Sequence, residues 1–107
     1  MTKLASFELV AGIDVKAKET TTVASLFPMP ERSREYQLLE DAKEGAKIQV
    51  KIARIQPFES TADATVKKGE KVTAWRLIKY ADFVKEIVAS DNIKAGDKLS
   101  VSYDTAE

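Results

Sequence analysis

Cysteine and histidine are both absent from this 107-residue chain. Their absence removes thiol nucleophiles, imidazole bases, Cys/His zinc sites and every Ser-His-Asp or Cys-His arrangement. It also gives no sign of an oxidising compartment, so the expected location is cytoplasmic. The 4 glycines are scattered, which leaves no phosphate-cradling loop. No apolar run approaches the roughly 18 residues needed to cross a membrane. The first residues are interrupted by Glu8 and Asp14 and lack the shape of a secretion signal. The carboxylates Glu40, Asp41, Glu44, Asp91 and Asp97 have neither EF-hand nor two-metal spacing. No metal, cofactor or enzymatic activity is therefore expected.

Formal net charge is zero, with 17 basic and 17 acidic side chains. That balance is unlike a strongly electrostatic DNA binder, whose whole domain is basic. The distribution is less even. Residues 43–79 hold Lys43, Lys47, Lys51, Arg54, Lys67, Lys68, Lys71, Arg76 and Lys79 against only Glu44, Glu59, Asp63 and Glu70. A locally basic surface on a neutral domain follows.

The apolar pattern is that of strands. Residues 5–18 alternate, with Phe7, Leu9, Ala11, Ile13 and Val15 on one parity. Val23 to Phe27 reads as a second β segment, stopped by Pro28 and Pro30. Around Tyr36–Leu39 a short strand or helical turn is expected, then a polar turn with Gly45 in a left-handed conformation. Residues 47–55 alternate again through Ile48, Val50 and Ile52, and Ile55 breaks the parity, predicting a bend near Ala53-Arg54. Residues 57–65 read as the most mobile internal segment. A hairpin turn is expected at Lys68-Gly69, leading into a strand over 71–79. A helix from Tyr80 or Ala81 to about Ala89 would bury the stripe Tyr80, Val84, Ile87 and Val88. Leu99, Val101 and Tyr103 form the inner face of the last strand. No internal repeat stands out.

Together these segments predict one mainly β domain spanning residues 1–107. The expected form is an OB-like small barrel of five or six strands with one helix between the last two. Such a barrel needs another strand after residues 98–103, and the N-terminal strands are one source of that missing edge.

Two resemblances enter here. Trp75-Arg76-Leu77-Ile78, Tyr80-Ala81, Val84 and Ala95-Gly96-Asp97-Lys98-Leu99-Ser100-Val101 resemble the third strand, connecting helix and following strand of bacterial single-stranded DNA-binding proteins. Ser33-Arg34-Glu35-Tyr36-Gln37-Leu38, running through Asp41 to Ile48-Gln49-Val50, is similar to small accessory proteins of Gram-positive conjugative elements. That family, formerly a domain of unknown function, includes a helicase processivity factor. The chain departs from its pattern after Ile55. Both resemblances imply a non-enzymatic role at single-stranded DNA.

Trp75, Tyr36 and Phe58 are the candidate base-stacking rings, and Lys47, Lys51, Arg54, Lys67, Lys68, Arg76 and Lys79 the candidate phosphate contacts. Each has a plainer reading. Large aromatics are mostly core, a ring in a loop is as often a lid on the core, and lysines on strand faces guard edges against mispairing. The leading functional expectation is a single-stranded DNA-binding or helicase-accessory protein acting in replication or conjugative transfer of a mobile element or phage. Single-stranded DNA, a helicase or another replication protein would be its partners. Pairing of edge strands would give a homodimer. The alternative is a protein–protein module, docking a helicase or inhibiting a host enzyme, without nucleic-acid affinity. An enzyme working through carboxylates is the third and weakest reading.

Overall fold

A computed structural model of the chain describes residues 2–105; the side chains of Ala74 and Trp75 lie outside what is described. The chain is mainly β. Its strands are β1 (Lys3–Val10), β2 (Thr20–Thr21), β3 (Glu35–Gln37), β4 (Lys47–Ile52), β5 (Phe58–Thr61), β6 (Lys71–Thr73), β7 (Ile87–Val88) and β8 (Lys98–Thr105). Single-turn helices α1 (Val23–Leu26) and α2 (Met29–Arg32) follow β2, while α3 (Ala74–Leu77) and α4 (Tyr80–Phe83) follow β6. One sheet has the order β1-β8-β4-β5, and two smaller ladders pair β2 with β7 and β3 with β6. The described ladders do not close into the expected OB-like barrel. The N-terminal strand does supply the edge beyond β8, pairing Phe7 with Val101 and Leu9 with Leu99.

An internal repeat, not expected from the sequence, organises all of this. Shifting the chain by 51 residues without a gap superposes Phe7 on Phe58, Val15 on Val66, Leu26 on Leu77, Lys43 on Lys94 and Val50 on Val101. The same shift carries β1 onto β5, β2 onto β6, β3 onto β7 and β4 onto β8, and α1-α2 onto α3-α4. Registers obey it too. Phe7 opposite Val101 becomes Phe58 opposite Val50, and Val50 opposite Tyr103 becomes Val101 opposite Ile52. The molecule thus has a pseudo-two-fold axis between β4 and β8. Every named ladder joins a strand of one half to a strand of the other.

Within each half a turn unit occurs twice, giving four copies. In each, a lysine carbonyl accepts from the N–H three residues on: Lys16 from Glu19, Lys43 from Ala46, Lys67 from Glu70 and Lys94 from Asp97. The third turn residue has positive φ: Lys18 at 74°, Gly45 and Gly69 at 88°, Gly96 at 95°. Gly45 therefore meets the left-handed expectation. Lys68-Gly69 is a turn as expected, but it does not make a hairpin, because Val66 bridges Ala42 and β6 pairs β3. Units pair first with fourth and second with third, through the bridges Val15–Ile93 and Ala42–Val66. The residue before each bridge caps the partner turn. Asn92 Oδ1 accepts from Ala17 N–H and Asp14 Oδ1 from Ala95 N–H; Thr65 Oγ1 accepts from Glu44 and Asp41 Oδ1 from Lys68. Polar side chains are required there because turn N–H groups have no ladder to enter.

Three other segments depart from the pattern-based reading. Thr22 Oγ1 accepts the Ser25 N–H, which starts α1 where a strand was expected over Val23 to Phe27. The strand expected over 71–79 ends at Thr73, and the helix expected to reach Ala89 ends at Phe83, since Ile87–Val88 pairs with β2. Residues 58–61 of the supposedly mobile segment are β5. The bend near Ala53-Arg54 is present, with Arg54 at φ 64°. The first helical turn of each half ends on a fully buried pair, Leu26-Phe27 at the end of α1 and Leu77-Ile78 at the end of α3.

Two expectations follow. Because ladders form only between halves, fragments 1–53 and 54–107 should each be unstructured by circular dichroism, and mixing them should restore β signal. Lys18 has a Cβ in a conformation that costs non-glycine residues about 1 kcal/mol, so Lys18→Gly should stabilise the protein by up to that amount. Gly96→Ala should destabilise it comparably, since only φ and no neighbour opposes a Cβ there. Urea midpoints would measure both.

Candidate functional site

The duplicated fold distributes the sequence-predicted cations over several places. Lys47 lies on β4 with its ammonium 3.7 Å from Glu59 of β5. Lys51, on the same strand face, is 3.3 Å from Asp104 of β8. Arg54 reaches across to the fourth turn, its Nη1 2.7 Å from Asp97 Oδ2. Lys67 and Lys68 are exposed on the third turn, beside the second turn with Lys43. Arg76 and Lys79 are exposed on and after α3. The structure gathers Lys47, Lys67 and Lys68 at one end and separates them from Arg54 at the opposite turn pair. Carboxylates already neutralise three of the seven.

The rings fare similarly. Tyr36 is buried, its ring stacked on Phe7 at 4.4 Å and edge-on to Tyr103 at 5.6 Å. Its ring is committed to the core and is not presented to solvent as a stacking platform would be. Burial, reinforced by the neighbouring Tyr103, pushes its hydroxyl far above the ordinary tyrosine range. Phe58, the repeat mate of Phe7, is half-buried against the core and lines a small apolar cavity of about 20 Å³ with Val50, Ile52, Phe83 and Tyr103. That volume holds about one water, not a ligand. Trp75 lies in α3, and its side chain is outside the described residues.

The sequence reading missed two other groups. Met29 is 54% exposed and Tyr80 is 55% exposed, and the 51-residue shift places one on the other. Each opens the second single-turn helix of its half. Val84, expected to be buried on a long helix, is 50% exposed because that helix has ended. Tyr80 stands edge-on to buried Phe83, ring centroids 6.5 Å apart. The signal that could have found this pair is the repeat itself, which turns two isolated apolar residues into one feature occurring twice.

A carboxylate fixes each of these helices to an edge strand. Glu31 Oε1 accepts from Val10 N–H at 2.7 Å and pairs with Arg34 at 3.2 Å. Its mate Asp82 accepts from Ser60 Oγ at 2.6 Å and from Thr61 N–H at 3.4 Å, and pairs with Lys85 at 2.9 Å. Burial raises the Asp82 pKa, but the Ser60 hydroxyl, Lys85 and the Thr61 N–H outweigh it and hold the group below the ordinary carboxylate range. At the fourth turn the Lys94 N–H outweighs a weaker desolvation and, with Arg54, holds Asp97 low as well. Among the described residues no three His, Cys, Asp or Glu side chains gather as a metal-ligand group, and no helix is long and apolar enough to cross a membrane.

Comparison with protein-family models, with curated proteins and with solved structures finds no match for this chain.

Because folded Asp82 binds its proton more weakly than the unfolded chain does, its contribution to stability is complete above the usual Asp range. It is lost as pH falls through the lower folded value. Stability should therefore be flat from neutral pH to about 5 and decline below about 4. Ser60→Ala, which removes the leading stabiliser of the carboxylate, should lower the neutral-pH plateau and make the acid decline smaller. Urea midpoints across pH 2.5–7 test this.

Proposed function

We propose that this chain is a non-enzymatic docking module that acts through protein–protein contact. The observation that carries the reading is the exposed apolar pair Met29 and Tyr80, presented twice by the same local structure and held by the same carboxylate anchor. Exposed aromatics and methionines on rigid supports are the groups from which interface hot spots are built. Val84, exposed just after the Tyr80 helix, adds a further apolar residue to the surface of that half.

The charge pattern supports the same reading over single-strand binding. A strand-binding groove needs unpaired cations tracking a backbone and rings open to stack on bases. Here Lys47, Lys51 and Arg54 are each within ion-pair distance of a carboxylate, and Tyr36 is core. The resemblance of the 33–50 segment to conjugative-element accessory proteins makes a helicase or other replication protein the first partner to test, in the cytoplasm.

Labelled oligo-dT titrated into the protein, followed by anisotropy and by Trp75 fluorescence, should show no binding at low salt up to high micromolar concentration. Salt-sensitive binding with a log–log slope of about −2 to −4 would return the function to single-stranded DNA. On the docking reading, a helicase co-expressed with the tagged chain should be retained by the wild type, and retention should fall at least tenfold in Tyr80→Glu and Met29→Glu. Equal retention by wild type and variants would remove these residues from the interface.

A further inference from the structure

At the second and fourth turns the pseudo-two-fold symmetry is broken in a chemically specific way. At the fourth turn Asp97 supplies a carboxylate to the turn's own first N–H, that of Lys94, at 2.9 Å, and the Arg54 guanidinium lies on the same oxygen at 2.7 Å. The first turn does the same with Glu19 on the Lys16 N–H at 2.7 Å. The third turn has Glu70 at that position, but no bond joins it to the Lys67 N–H among the described residues. The second has Ala46, so Lys43 N–H has no acceptor among the described residues.

The surroundings match this loss. Shifted by 51 residues, Arg54 falls on Lys3, Ile55 on Leu4, Lys94 on Lys43 and Lys98 on Lys47. Beside the fourth turn, which carries its own ion pair, lies a concavity of about 220 Å³ shared with the first turn; the second leaves a larger open one of about 360 Å³. Its walls are Leu4, Asp41, Ala42, Lys43, Lys47 and Thr105, with Ala46 at the vacant position. The Asp41 carboxylate is directed at the Lys68 N–H, 2.7 Å away, where it caps the third turn. The Lys43 ammonium, the Lys47 ammonium that also lies 3.7 Å from Glu59, and an unanswered N–H stand around a space in which the related turn holds a carboxylate.

We propose that this concavity is a carboxylate-binding site, which an acidic side chain of a partner protein occupies as Asp97 occupies the related turn. The ligand's oxygen would accept from Lys43 N–H, and Lys43 and Lys47 would supply the charge that Arg54 supplies to Asp97. A charge-assisted bond of this kind is among the stronger polar contacts at an interface. That the carboxylate comes from a protein rests on the docking reading above; the site itself does not.

The test is an amide-resolved titration of the intact protein with a capped hexaglutamate peptide, with inorganic phosphate and a capped hexaglutamine peptide run in parallel. Saturable movement of the Lys43 amide with hexaglutamate and none with hexaglutamine is expected. Ala46→Glu, which restores the internal carboxylate, should move that amide at once and weaken the peptide response at least tenfold. Asp97→Ala should open the related turn and make the Lys94 amide newly responsive, an outcome that general damage to the fold would not produce. A Lys43 amide that stays still in the wild type overturns the proposal even if Tyr80→Glu abolishes partner retention. An equal response to inorganic phosphate overturns the preference for carboxylate.

Discussion

Between β4 and β8, at the centre of the sheet, the two halves of the chain exchange the hydrogen bonds on which every other pairing depends. Val50 faces Tyr103 and Ile52 faces Val101, so the pairing is nearly the same seen from either half. Once this ladder forms, β1 and β5 have defined edges to join, and the turn units are brought opposite their partners. Neither half has a named ladder of its own. Burial is correspondingly shared, with Ile48, Val50 and Ile52 from one half and Leu99, Val101 and Tyr103 from the other in one core.

The turn units show how such a fold is held at its ends. Each pair exchanges two bridge hydrogen bonds and two side-chain caps, so four turn N–H groups that would otherwise need water are answered by Asn92, Asp14, Thr65 and Asp41. These are charge-assisted or side-chain bonds at exposed positions, each of about 1 kcal/mol or less in net effect. Their importance is geometric. They fix register in segments where the apolar residues, one per turn unit, specify little.

Much of this was legible in the residues, and the reasons for the rest are particular. Ile48, Val50 and Ile52, and Leu99, Val101 and Tyr103, alternate as half-buried strands must, and they are β4 and β8. The N-terminal alternation is correct as far as Ala11 and fails at Ile13, which is 38% exposed because β1 has ended at Val10. Tyr80, Val84, Ile87 and Val88 have helical spacing by coincidence of a short helix and a following strand. Their burial pattern belongs to two elements. Val23 to Phe27 follows the β-branched run Thr20-Thr21-Thr22 and so reads as a strand, and the Thr22 cap decides otherwise. The duplication escapes pattern reading because its identities are dispersed and the second half replaces Pro28, Met29 and Pro30 with Lys79, Tyr80 and Ala81. With the repeat hidden, neither the Met29–Tyr80 pair nor the unmatched Ala46 carries a signal.

The exclusive pairing of one half with the other also bears on synthesis. A ribosome releases β1 to β4 before any strand able to pair with them exists, and the central partner of β4, β8, is the last strand to emerge. Until β8 arrives the nascent chain displays the β8-facing edge of β4, with Ile48, Val50 and Ile52 on one face, unpaired. Two nascent chains side by side would offer each other the strands that each still lacks. Lys47 and Lys51 on the outward face of that strand are the kind of residue that discourages such mispairing until the second half arrives.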